Sequence, residues 1–303
     1  MTHRSRIFLC AAILFFSQAP TLHAQTRESV SSTSASRGIP LSQFVGVVQQ
    51  KAKSLERTSG MRLGFQSFIA AHHLSSDSIR YSDYVLIRLF FEATRDAGLW
   101  NLHWNITDQP PNSDSIWRQW RTIEKPSFWE PTATAECDEL SALFAFLVER
   151  AGVKSVGLFW PASNHTVAVW VLRPKSSLVI RVVVPTSQIF LTEADFFDTK
   201  KFDPWRQKTI YEYTRRDVPD SFELSKPLAD FFIQQLDKYA GATDVALQRL
   251  RYLRGAVLNR QMTPDQAAHE ALNFRATLAH RAAEDDFALQ AFADDMRAEV
   301  LPK

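Results

Sequence analysis

A chain of 303 residues with 45% hydrophobic content, 22% charge and 9 glycines has enough apolar material for a sizeable core, which excludes a disordered or collagen-like polymer. A net charge of +2 with no long basic run predicts no nucleic-acid partner. The length fits one large domain or two modest ones.

Residues 1–24 begin with Arg4 and Arg6, continue through an apolar run over 7–16 and offer Ala24 as a small residue for cleavage. This is the pattern of a secretory signal peptide. The run is about half of the ~20 residues that span a bilayer, so the reading is a periplasmic or secreted protein without a stable membrane anchor after cleavage. Cys10 leaves with that segment, and Cys137 remains alone. An unpaired thiol in an oxidising compartment calls for burial or for a use. Residues 25–40 are Ser/Thr-rich and read as a flexible linker.

Apolar residues at three- and four-residue spacing predict helices over 41–55 and 83–97, the second through Val85, Leu86, Leu89, Phe90 and Ala93. Residues 99–131 are rich in Trp, and Pro110, Pro111, Pro126 and Pro131 interrupt any helical ladder there. In the stretch ATAECDELSALFAFLVERAGV, Leu140, Leu143, Phe144 and Leu147 share one face, while Ala142, Ala145, Phe146 and Val148 cover much of the rest. A helix apolar nearly all round is central and buried. Threonines before it are expected to cap it, and Arg150 and Gly152 close it. Segments 153–160, 166–172 and 178–184 read as antiparallel strands. Helices follow over 228–240 and 243–259, and a third starts at Thr263-Pro264. Arg249, Arg251, Arg254 and Arg260 read as a solvated face. The expected class is α+β, with an α+β domain over 41–225 and a helical region over 226–303.

Cys137 falls in the first turn of the central helix. There the unpaired backbone N–H groups and the helix dipole favour a thiolate and can hold an oxyanion. Glu136, Asp138 and Glu139 oppose this, because nearby negative charge raises a thiol pKa. A base is needed, and His165 is the candidate: it opens the strand HTVAVWVL and shares a face with Val167, Val169 and Val171.

The pieces CDELSALFAFL, AGVKSVGLF, NHTVAVWVL and VVVPTSQIF, within residues 129–190, resemble in kind and order the motifs of the transglutaminase-like (papain-like) cysteine protein superfamily, exported bacterial members included. The resemblance implies a papain/transglutaminase-like core, a buried helix packed on an antiparallel sheet, with helical N-terminal and C-terminal additions. It also implies Cys137 as nucleophile and His165 as base. The family has an acidic residue before Pro-Thr, but this chain has Val184, which cannot accept an imidazole N–H. The third role is vacant or moved, with Thr186, Gln188, Glu193 and Asp195 as substitutes. Trp117, Gln119, Trp120 and Trp129 are candidates for helping to hold the oxyanion.

The function expected from this is a cysteine enzyme acting on amide bonds, as a peptidase, amidase or acyltransferase, on a peptide, protein or peptidoglycan stem. The alternative is an inactive scaffold of the same fold that binds a protein or peptide in the cell envelope. No cofactor and no metal are expected, since His72-His73 and His269-Glu270 lack ligand spacing.

Overall fold

The computed structural model describes residues 38–106, 114–174, 178–187, 196–212, 218–219, 221–278 and 282–298. The expected signal segment, most of the expected linker, and Gln188, Glu193 and Asp195 lie outside the described residues. Ile39–Pro40, the end of the expected linker, forms a short strand β1. It pairs antiparallel with β8, Glu223–Leu224.

Helix α1 spans Leu41–Leu55 and buries Leu41, Phe44, Val45, Val48, Ala52 and Leu55, the stripe its three-and-four spacing predicts. Helices α2, Ser59–Ala71, and α3, Tyr81–Thr94, follow. Between the prolines the chain forms α4, Ser115–Thr122, and two strands: β2, Leu102–Trp104, runs parallel to β3, Ala133–Ala135. Asn101 adopts the left-handed conformation, φ 56°, which Asn tolerates better than most residues. Its amide N–H groups donate to the carbonyls of Ser127, Phe128 and Glu130, pinning the loop ahead of β3.

Helix α5, Cys137–Arg150, is buried from Glu139 to Val148. It crosses a four-stranded antiparallel sheet of order β6-β5-β4-β7, made of Ile180–Val184, His165–Leu172, Val156–Ala162 and Tyr211–Glu212. The sheet's two faces carry different clusters. Val156, Leu158, Ala168, Trp170, Val182 and Val184 share a core with α1, α3, α5 and α6, Lys226–Tyr239. Phe159, Val167, Val169 and Val183 form a separate cluster on the face turned away from α5. Each fully buried Phe or Leu in these clusters stabilises the fold by roughly 1.5–3 kcal/mol.

Helices α7, Asp244–Leu258, α8, Pro264–Thr277, and α9, Ala283–Ala298, enclose another cluster with Phe128 and Trp129. Thr263 caps α8 as expected, and Gln266 completes a reciprocal capping box. The arginines of α7 are not a solvated face. Arg251 reaches the buried Glu92 of α3 at 2.6 Å, and Arg254 is buried against Asn101. Arg88 of α3 pairs with Asp244. Burial pushes the Glu92 carboxyl up, but Arg251, Arg95 and Arg88 outweigh it and hold it below its ordinary value.

Candidate functional site at the head of the central helix

Cys137 is the first residue of α5, and the cap before it is Glu136 rather than a threonine. The Glu136 N–H donates to Glu139 Oε2 at 2.9 Å, closing a capping box. Thr134 belongs to β3, where Gln119 binds it twice. Gln119 Nε2 donates to its carbonyl at 2.8 Å, and its N–H donates to Gln119 Oε1 at 2.9 Å. The Gln119 amide is therefore spent on positioning the strand that leads into Cys137. Trp117 and Trp120 are core residues that meet edge to face, and Trp129 packs in the α7–α9 cluster.

The sulfur is half-buried, and the backbone N–H groups of Thr166 and of its own first turn act on it, favouring the thiolate. The reason lies in the sheet. Pairing of β5 with β6 ends at Ala168 and Val184, so the next outward-pointing groups on that edge, the N–H and C=O of Thr166, have no strand to meet. Burying them unpaired would cost about 1–3 kcal/mol each. Helix α5 answers both: Ser141 Oγ donates to the C=O at 3.2 Å, and the thiol interacts with the N–H. Ser141 Oγ also lies 2.9 Å from Thr186 Oγ1. Cys137, Ser141 and Thr186 together close the open end of the sheet.

His165 stands one residue earlier and shares a face with Val167 and Val169, the alternation its sequence predicts. That face is the one turned away from α5. The imidazole packs beside Phe202 with ring centroids 5.5 Å apart, and its buried Nε2 has no hydrogen-bond partner among the described residues. The expected meeting of sulfur and imidazole does not occur in this arrangement. Ala168 and Trp170 decide the matter, because they carry β5's contribution to the α5 core and Trp170 stacks on Phe68. Once those residues face the helix, His165 must face the other way.

The electrostatics agree with the geometry. Burial raises the thiol above its ordinary value, with the Asp138 charge adding to this, and the N–H groups of Thr166, Asp138 and Cys137 offset only part. Burial alone lowers the imidazole to about 4. With the thiol raised and the ring lowered, transfer of the proton from sulfur to ring is disfavoured. A valine at position 184, fully buried in the α5 core, fills the place expected of an acid.

Sequence reasoning missed Thr166 and Ser141, and it offered Thr186 as a partner for His165, whereas Thr186 Oγ1 lies against Ser141 Oγ. A usable signal was present, since Ser141 is the one hydroxyl in the otherwise apolar run from Leu140 to Val148. His72, set aside as a metal ligand, instead pairs with Asp198 at 2.7 Å. Among the described residues, no group of three or more His, Cys, Asp or Glu is arranged to hold a metal ion. No family model matches the chain, and neither a curated protein nor a solved structure does.

Proposed function

We propose that the chain is an exported transglutaminase-like (papain-like) scaffold that binds a protein or peptide in the cell envelope, its head-of-helix cysteine retained for structure. The observation that carries this is that the imidazole of His165 packs beside Phe202 on the face turned away from α5, its buried Nε2 without a hydrogen-bond partner among the described residues. The fold assignment is supported by a cysteine-headed buried helix packed on an antiparallel sheet and by four motif pieces in family order. Binding is supported by an exposed aromatic pair at the sheet edge: Trp160 and Tyr211, 42% and 58% exposed, meet edge to face at 5.5 Å. Such rings offer large contact area at little entropic cost.

A second reading, acyl transfer through Cys137 and His165, draws on the first-turn N–H groups around the sulfur, which is the arrangement an oxyanion needs. Thiol labelling separates the two. The scaffold reading expects Cys137 to react with iodoacetamide more slowly than glutathione at neutral pH, at a rate His165→Ala leaves unchanged. Faster labelling that His165→Ala abolishes would reinstate the enzyme. Binding is tested by titrating short peptides, including a peptidoglycan stem peptide, against the full mature chain and following tryptophan emission. A saturable change that Trp160→Ala with Tyr211→Ala removes is expected, and no change with any peptide would overturn the binding role.

A further inference from the structure

At the far end of β5 from Cys137, the sheet face turned away from α5 carries a second feature. A cavity of about 330 Å³ opens between the ends of β4, β5 and β6 and the segment leading into β7. This volume is at the small end of the range for ligand sites, ~300–1,000 Å³. Its floor is apolar, formed by Gly157, Val171 and Ile210, with the half-exposed Trp205 indole as a wall.

The polar part of the lining has one sign of charge. Arg173, Arg181 and Lys208 line the cavity, and no described residue that lines it is acidic. Arg181 is fixed in place: its guanidinium donates to the carbonyls of Pro204, Gln207 and Lys208 and lies 4.3 Å from the centre of the Trp205 ring. Its charge is thus spent on carbonyl dipoles, with its Nε buried and unpartnered, and among the described residues no carboxylate pairs with it. Arg173 and Lys208 are exposed at the rim. Among the described residues, Arg173 hydrogen-bonds to Ser155 Oγ, at 3.3 Å, and neither Arg173 nor Lys208 makes an ion pair. A rigid cation beneath two others that have no carboxylate partner among the described residues, in a partly enclosed apolar cavity, suits an anion.

We propose that this cavity binds an organic carboxylate with an apolar body, of the kind a peptide's C-terminal residue presents. The planar fork of Arg173 matches a carboxylate, Lys208 supplies a second charge-assisted contact, and the apolar floor and indole cover the side chain. A bare inorganic anion would leave that floor wet. The cavity is remote from Cys137 along β5, so the proposal stands apart from the reading of the sulfur.

The test uses the full mature chain labelled with ¹⁵N and titrated with N-acetyl-leucine, N-acetyl-leucinamide and inorganic phosphate. Saturable shifts of the Gly157 amide and the Trp205 indole N–H are expected with N-acetyl-leucine alone. Arg173→Gln and Lys208→Gln sit on the exposed rim, and each is expected to weaken binding about tenfold with unchanged circular dichroism. Binding should persist in the Trp160→Ala, Tyr211→Ala variant, which separates this site from the edge platform. Equal binding of the acid and the amide, stronger binding of phosphate, no saturable shift, or affinity untouched by both rim variants would each overturn the assignment.

Discussion

The imidazole of His165 offers the sharpest measurement on this molecule, because its titration reports on both the fold and the chemistry. Burial lowers its pKa from 6.5 to about 4 in the folded state. Above the upper value the ring is neutral whether the chain is folded or not. As pH falls from 6.5 towards 4, the unfolded chain takes a proton that the folded chain refuses, and stability is lost. Each pH unit removes up to about 1.4 kcal/mol, so the whole window removes at most about 3 kcal/mol, levelling off once the folded ring protonates too. Urea unfolding of wild type and His165→Gln across this window isolates the contribution, since carboxylates common to both cancel. The variant's deficit at neutral pH should shrink steadily as acid is added. Proton NMR of the ring C–H resonances should place the folded midpoint near 4. A midpoint at or above the free-histidine value, or parallel pH profiles for the two proteins, would refute the argument. That result would mean the ring meets water, a thiolate or a carboxylate.

Cys137→Ala should destabilise the fold by about 1–3 kcal/mol, because it removes the sulfur that interacts with the buried Thr166 N–H; Cys137→Ser should recover part of the loss in thermal unfolding. Glu92→Ala leaves Arg251, bonded at 2.6 Å, and Arg95 facing a buried gap, and a loss of about 3–5 kcal/mol in urea unfolding is expected. The Glu92 carboxyl is held below its ordinary value, so its contribution is present above the unfolded-state pKa and lost as pH falls through the folded one. Gly157→Ala would put a Cβ 2.5 Å from the Tyr211 carbonyl oxygen. It should detach β7 from β4, read as faster amide exchange at Leu158 and Tyr211 with the α5 core still protected.

Much of the architecture was legible locally. The bounds of α1 follow from its apolar stripe, and Thr263-Pro264 marks the start of α8 by cap chemistry alone. Helix α2 was missed although Met61, Phe65 and Phe68 stand at helical spacing, because its polar remainder dilutes the signal. Helix α4 lies among prolines and is held by tertiary packing, with Trp117 and Trp120 in the core. At the site, the alternation of His165 with Val167 and Val169 was readable, but the face α5 would cover was not. That choice rests on where Ala168 and Trp170 find room against residues distant in sequence. The inward turn of Arg251 and Arg254 was hidden for a related reason: their partners, Glu92 and Asn101, lie on other elements.

The ties between α3 and α7 limit how the molecule can be divided. A shortened chain ending after α6 would keep Glu92 and Arg88 in place while discarding Arg251 and Asp244, which answer them. Such a fragment would carry exposed apolar residues and stranded charge along one side of α3, inviting aggregation. Anyone trimming this protein for expression, or grafting its sheet onto another frame, inherits the last three helices as part of the same object.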